Sequence, residues 1–169
     1  MVSDLGLKWV MIGHSERRQF YGETDEVVVE KVKMAAKQGL YMVVCIGENL
    51  QERESNKTMA VCRGQLEAFA GHVMDWSRVV IAYEPVWAIG TGKVATPEQA
   101  QEVHREIRSA LSQLVSAQTA AQVRIVYGGS VNAANAGALA GAPDVDGFLV
   151  GGASLKKDFL EIISAANKA

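Results

Sequence analysis

This sequence contains few cysteines and has almost no net charge. The chain has two cysteines, Cys45 and Cys62, among 169 residues. They fall in a strand-like and a helix-like segment, which is typical of reduced thiols in a cytosolic protein. The net charge is −2 and the pI is about 5.9. Without a basic surface there is no electrostatic case for binding nucleic acid or an anionic membrane, so we expect neither partner.

Long apolar runs and metal-ligand spacings are also lacking. No run approaches the ~18 residues that span a bilayer. The first ten residues, MVSDLGLKWV, have no basic region before a long apolar stretch, so we expect no secretory signal and a cytoplasmic location. No pattern of histidine, cysteine and carboxylate residues has metal-ligand spacing, so we predict no metal. The apolar fraction of 49% is enough for one compact domain over residues 1–169.

The most informative stretch is VVIAYEPVWAIGTGK, residues 79–93. Its apolar, β-branched start predicts a strand buried on both faces, as in a parallel sheet. Glu84 follows directly, and Pro85 biases it toward an extended conformation. Residues 85–93 combine apolar side chains with glycines at the far end, which predicts a lid that excludes water from the site of Glu84. The alternative is an ordinary loop packed on its own tryptophan.

Strand-like and helix-like patterns alternate along the whole chain. We predict strands at 7–12, 41–46, 79–83, 123–127 and 147–150, and helices at 24–38, 50–74 (one or two), 96–115, 132–139 and 159–166. About five βα repeats indicate an α/β protein with a parallel sheet and right-handed crossovers. The pattern fits either an open doubly wound sheet or part of a (β/α)8 barrel. In both, ligands bind at the carboxyl ends of the strands.

Polar residues at those strand ends suggest two kinds of chemistry. Glu84 and His14 follow different strands, so they can face each other, with Glu84 as a base toward carbon and His14 as a hydrogen-bond donor to an enediolate oxygen. His14 could equally be structural. His72 and His104 lie in helical stretches and are expected at the surface. Glycine pairs at 128–129 and 151–152, with Ser130 nearby, predict an anion site, although tight turning is the alternative.

Together these motifs closely resemble the triosephosphate isomerase family, and the resemblance covers essentially the whole chain. The matching runs are 13–18 with 22–23, 44–48, 82–93, 127–131 and 146–155. The resemblance implies a (β/α)8 barrel that interconverts dihydroxyacetone phosphate and glyceraldehyde 3-phosphate without a cofactor, and a homo-oligomer.

The resemblance also implies roles for particular residues of this chain. Glu84 would be the catalytic base, His14 the electrophile and Glu16 a supporting carboxylate. The donors to the substrate phosphate would be Gly90, Ser130, Gly151 and Gly152. Cys45 matches a buried family cysteine with a structural role.

The chain departs from the family pattern in length. A complete barrel takes roughly 250 residues, and this chain matches only from about the fourth βα unit to the C-terminus. The family's strand-one lysine, which binds substrate, has no counterpart here, and neither has the loop that builds the dimer. We therefore expect a truncated product with exposed sheet edges that self-associate. The alternative to an isomerase is an inactive fragment that keeps a phosphate site or associates with other chains.

Overall fold

The computed structural model describes residues 1–89, 91 and 93–167. Four parallel strands form one sheet in the order β1-β2-β3-β4, and eight helices accompany them within the described residues. The strands are β1 (Trp9–Ile12), β2 (Tyr41–Ile46), β3 (Val79–Tyr83) and β4 (Arg124–Tyr127). The helices are α1 (Ser15–Tyr21), α2 (Asp25–Lys37), α3 (Leu50–Glu54), α4 (Thr58–Ala70), α5 (Pro97–Leu114), α6 (Ala117–Gln122), α7 (Ala133–Ala140) and α8 (Phe159–Ala166).

The sequential order of parallel strands confirms the predicted α/β class and the arrangement of a partial (β/α)8 barrel. All five residues of β3 are buried, as expected for a central parallel strand. Helix side chains such as Val32, Leu66 and Ile107 are almost fully buried in the core. None of the described helices has the length and apolar character needed to cross a bilayer.

The start of α5 follows the local sequence as predicted. Thr96 accepts a hydrogen bond from the amide of Gln99, and the Gln99 side chain accepts one from the amide of Thr96, which completes a capping box. Pro97 occupies the first turn, where its missing N–H costs nothing. The charged region 50–74 forms two helices, α3 and α4, separated by a turn in which Asn56 has φ 54°.

Two short helices were not predicted, α1 and α6. Neither has enough apolar residues to show a helical period, since α1 reads SERRQFY and α6 reads AQTAAQ. Capping explains both starts. His14 accepts a hydrogen bond at the beginning of α1, and Ser116 accepts one from the amide of Thr119 at the beginning of α6.

The predicted fifth strand at 147–150 is reduced to a single parallel bridge between Phe148 and Tyr127. Tyr127 donates to the carbonyl of Gly147, and Leu149 donates to the carbonyl of Tyr127, both at 2.9 Å. Gly147 has φ 152°, which an extended strand does not use. A distorted start therefore limits this segment to one bridged residue beside β4.

The expectation that His104 lies at the surface is wrong, whereas His72 is exposed as predicted. His104 is fully buried because it shares the inward face of α5 with Val103 and Ile107. Its ring packs edge-on against Tyr83 at 5.7 Å between centroids. Its Nδ1 lies 3.0 Å from the carbonyl oxygen of Asp144, so Nδ1 carries the proton and donates it.

Burial lowers the pKa of His104 to about 4, because a charged ring would lose its hydration there. The unfolded chain binds this proton near pH 6.5 and the folded chain does not, so His104 should weaken the fold as pH falls from 6.5 to 4. The full effect is about 3 kcal/mol. His104→Asn keeps a donor toward Asp144 but cannot titrate. In urea titrations, the wild type should lose that much stability relative to His104→Asn between pH 7 and pH 4, and parallel curves would contradict this.

Candidate active site

Glu84 lies at the carboxyl end of β3 and is almost completely buried, with 2% of its surface exposed. Three donors from two neighbouring residues reach its carboxylate. Ser15 donates from its amide to Oε2 at 2.9 Å and from its hydroxyl to Oε1 at 3.1 Å. His14 Nε2 lies 3.0 Å from Oε1. Glu84 and His14 therefore face each other at the strand ends, as the sequence predicts.

Burial raises the pKa of Glu84, while His14 and the two Ser15 hydrogen bonds act in the opposite direction. A carboxylate with a raised pKa is a stronger base than one in water. The group is thus poised to take a proton from a weakly acidic carbon once its present donors are exchanged for a ligand.

The hydrogen bonds of His14 define the form of its ring. Nδ1 accepts a hydrogen bond from the amide of Glu16 at 3.3 Å, so this nitrogen holds a lone pair. The proton of the neutral imidazole is then on Nε2, which points at Glu84. A neutral imidazole that donates from Nε2 can polarise a carbonyl oxygen. The ring is 28% exposed, so it is accessible from the strand ends.

The carboxylate of Glu16 is not a hydrogen-bond partner of either His14 or Glu84. Its side chain is exposed and makes no hydrogen bond to His14 or Glu84, whose polar contacts come from other groups. It is the backbone amide of Glu16 that reaches His14. The supporting role of its carboxylate stays a prediction, whereas its amide sets the tautomer of the histidine.

The glycines around Glu84 permit close packing. A Cβ on Gly47 would lie 1.7 Å from the carbonyl oxygen of Glu84, and one on Gly128 would lie 3.0 Å from Glu84 Cγ. A Cβ on Gly129 would lie 2.3 Å from the hydroxyl oxygen of Tyr127. For the 128–129 pair, steric need at a crowded strand end therefore explains the glycines, which differs from the tight turn expected as the alternative to an anion site.

The second glycine pair is different. Gly151 and Gly152 are exposed, and a Cβ on either would meet nothing within 4 Å. They follow the segment that pairs in parallel with β4, so they lie at the carboxyl ends of the strands, as Glu84 does. Their backbone is open to a ligand. Gly90, the other predicted backbone donor, lies outside the described residues.

Ser130 makes its hydrogen bond to the predicted lid. Its hydroxyl donates to the carbonyl oxygen of Ala88 at 2.7 Å. The lid segment begins with a short 3-10 helix, Val86–Ala88, in which Ala88 is fully buried. A role of Ser130 toward phosphate stays a prediction, and it requires this hydroxyl to exchange its partner.

Glu48 anchors the same segment, and the sequence analysis assigned it no role. Its Oε1 accepts from Trp87 Nε1 at 2.9 Å and from the Tyr83 hydroxyl at 3.1 Å. Its backbone oxygen accepts from the amide of Val86 at 3.0 Å. Arg53 lies with its guanidinium carbon 5.5 Å from the Trp87 ring centre. A carboxylate two residues after the apolar strand β2 was the available signal.

Ser15 and Cys45 were also not assigned to the site. Cys45 is fully buried, and burial together with the nearby charge of Glu84 raises the pKa of its thiol. In the sheet register Cys45 pairs with Ala82, two residues before Glu84, so the two side chains point to the same face. That period-two parity needs the strand register, which the sequence does not contain.

The chain is similar to known proteins of one family. The model of the triosephosphate isomerase family matches residues 1–166. Cytosolic triosephosphate isomerase from rice, Oryza sativa subsp. japonica, is 56% identical over 166 residues. The aligned region covers 98% of this chain, and the chain spans 66% of the length of that relative. The chain belongs to the triosephosphate isomerase family.

Proposed function

We propose that this chain carries the proton-transfer site of an enzyme that interconverts dihydroxyacetone phosphate and glyceraldehyde 3-phosphate. Glu84 removes a proton from the carbon next to the substrate carbonyl. The electron pair of that C–H bond forms the enediolate double bond, and the carbonyl oxygen becomes an anion. The anionic oxygen then gains a proton and the neighbouring hydroxyl oxygen loses one, while Glu84 returns its proton to the former carbonyl carbon. These transfers give the isomer, and no cofactor enters the balance.

The contact between His14 and Glu84 is the observation that carries this proposal. The separation of 3.0 Å places a donor and a base close enough to act on adjacent atoms of one small substrate. The neutral ring of His14 would donate from Nε2 to the developing oxyanion. Substrate binding must therefore replace the present hydrogen bond between these two residues, which frees the carboxylate to act as a base.

The phosphate group would bind at the exposed backbone of Gly151 and Gly152, with Ser130 and Gly90 as further donors. Amide groups without nearby side chains can approach a phosphate oxygen closely, and the open space around both glycines supports this role. Residues 85–93 would act as the lid. Two hydrogen bonds, from Trp87 to Glu48 and from Ser130 to Ala88, hold the start of this lid, and its motion would act on them.

The wider setting belongs to the same proposal. The chain corresponds to the C-terminal part of the family's barrel, works in the cytosol like its rice relative, and forms a homo-oligomer. The coverage of 66% of that relative supports a partial barrel. The substrate is a small phosphorylated triose.

The second candidate is an inactive fragment that keeps a phosphate site. The charges around the site favour it, because the polar contacts of Glu84 within the described residues come from His14 and Ser15, and none comes from a lysine or arginine. Enediolate chemistry develops negative charge that a fixed cation would stabilise, and losing one such group typically costs several kcal/mol of transition-state energy.

A complementation assay distinguishes the two candidates. The purified chain is assayed for isomerase activity alone, and then mixed with the segment of the rice relative that it does not match. We expect negligible turnover alone and measurable turnover in the mixture, since the added segment supplies the missing cation. The fragment hypothesis predicts no turnover in either sample, and near-family turnover of the chain alone would contradict the need for complementation.

A further inference from the structure

Gly47 follows strand β2 directly, and its backbone groups face away from β3. On one side of it, the carbonyl of Ile46 accepts a hydrogen bond from the amide of Glu84 at 2.8 Å. On the other side, the carbonyl of Glu48 accepts one from the amide of Val86 at 3.0 Å. Because alternate residues of a parallel strand bond to the same neighbour, the amide and the carbonyl of Gly47 face the β1 side of the sheet.

Strand β1 ends before it can bond to Gly47. Its last residue, Ile12, pairs with Val44, which lies three residues before Gly47. Among the described residues, no backbone group donates to Gly47 or accepts from it. Gly47 is only partly exposed, and a backbone group that is out of water without a partner costs free energy comparable to a lost hydrogen bond. This strand end therefore needs a partner from a side chain.

The side chain of Gln65, on α4, is that partner. Its Oε1 accepts from the amide of Gly47 at 2.8 Å, and its Nε2 donates to the carbonyl of Gly47 at 3.3 Å. A side-chain amide presents a donor and an acceptor close together, as the backbone of a neighbouring strand does. Gln65 thus takes the place that further residues of β1 would have had, and it joins α4 to the carboxyl end of β2.

Two groups of the candidate site depend on where Gly47 lies. Glu48 is the next residue, and its carboxylate accepts from Trp87 Nε1 at 2.9 Å at the start of the lid. Glu84 lies on the other side of Gly47, and a Cβ on Gly47 would be 1.7 Å from the carbonyl oxygen of Glu84. So little space separates the two backbones that a movement of Gly47 toward β3 must also displace Glu84.

We propose that Gln65 is a positioning residue, which holds Gly47 and thereby fixes the place of Glu84. Glu48 is fixed in the same way, because it is the next residue along the backbone. Leu66, beside Gln65 on α4, is fully buried in the core, so the amide of Gln65 is carried by a rigid element. The expected effect on turnover rests on the proposed function, whereas the effect on the geometry of the strand end does not.

NMR spectra of the full chain test the geometric part. In Gln65→Met, which is close in size but has no amide, hydrogen exchange of the Gly47 amide should be roughly fivefold faster or more. The Trp87 indole N–H signal should move toward that of a free indole, because Glu48 shifts with Gly47. Gln65→Glu keeps an acceptor for the Gly47 amide and loses the donor to its carbonyl, so the Trp87 signal should move in the same direction. Gln118→Met, exposed on α6, is the matched control and should change neither signal.

Isomerase activity of the complemented samples tests the catalytic part. Gln65→Met should lower kcat/KM by about tenfold, which is less than the ~10²-fold that a misplacement of about 1 Å typically costs. Ile107→Val removes a methyl group from the core on α5, so it lowers stability without touching Gly47. Its activity per folded molecule should equal that of the wild type. Circular dichroism gives the folded fraction of each variant.

The outcomes separate this inference from the proposed function. Unchanged Gly47 exchange and an unchanged Trp87 signal in both Gln65 variants would overturn it. Undiminished turnover of Gln65→Met in an active complemented enzyme would do the same, and so would equal losses in Gln65→Met and Ile107→Val. If the complemented wild type has no turnover, the proposed function fails, and the NMR spectra alone decide whether Gln65 holds the strand end.

Discussion

Replacing Glu84 with glutamine is expected to lower the turnover of the complemented enzyme by about 10²- to 10⁴-fold, the usual contribution of a general base. The amide can still accept from Ser15, but it cannot take a proton from carbon. Glu84→Asp keeps the charge and withdraws the carboxylate by one methylene. Misplacement of about 1 Å typically costs about 10²-fold, so aspartate should also reduce turnover sharply. The measurement is steady-state isomerase activity of the complemented samples.

Glu102→Gln is the control for this prediction, because Glu102 is exposed on α5 and takes part in none of the ion pairs of the described residues. It should leave turnover unchanged. Unfolding in urea, measured in parallel, separates a loss of chemistry from a loss of fold. Full activity in Glu84→Gln would exclude this residue as the base. If the chain is an inactive fragment, neither substitution changes anything.

The second large effect is expected from Gly47→Ala. A Cβ at this position would lie 1.7 Å from the carbonyl oxygen and 2.6 Å from the carbonyl carbon of Glu84. Both atoms belong to a fully packed backbone, so β2 and β3 would have to separate at their carboxyl ends. Overpacking against the backbone should cost at least about 3 kcal/mol of unfolding free energy. The displaced Glu84 should also lose its contacts with Ser15 and His14.

Gly64→Ala provides a control with the opposite sign. Gly64 lies within α4, and a Cβ there would meet nothing within 4 Å. Alanine in a helix interior is favoured over glycine by roughly 0.5–1 kcal/mol, so this variant should be more stable than the wild type. Urea titrations at one protein concentration compare the two. Similar effects of both substitutions would show that the close approach at Gly47 is not what requires glycine.

Patterns with a strong local cause predicted the fold well. The helix expected at 96–115 and the buried run of β3 appear where the sequence predicts them. The prediction that His104 is exposed was wrong because it considered the polarity of the residue and not its position on the inward face of the helix. In the folded chain, packing on Tyr83 outweighs the cost of burying a neutral ring. The short helix α1 was not predicted because its seven mostly polar residues show no helical period of apolar side chains.

The candidate site divides in the same way. Glu84 and His14 could be named from the sequence, since unusual polar residues after apolar strands have few structural explanations. Ser15 and Cys45 could not, because their positions beside Glu84 depend on which residues of neighbouring strands lie opposite each other. That register is a property of the assembled sheet.

The linear order of residues was enough to specify the parallel βα units and to suggest a base with its imidazole partner, because apolar runs, caps and strand-end residues act within a few positions of each other. Only the folded chain decided the tautomer of His14 and the close contact beneath Gly47. Each of these depends on distances between groups far apart along the chain, and packing alone brings those groups together.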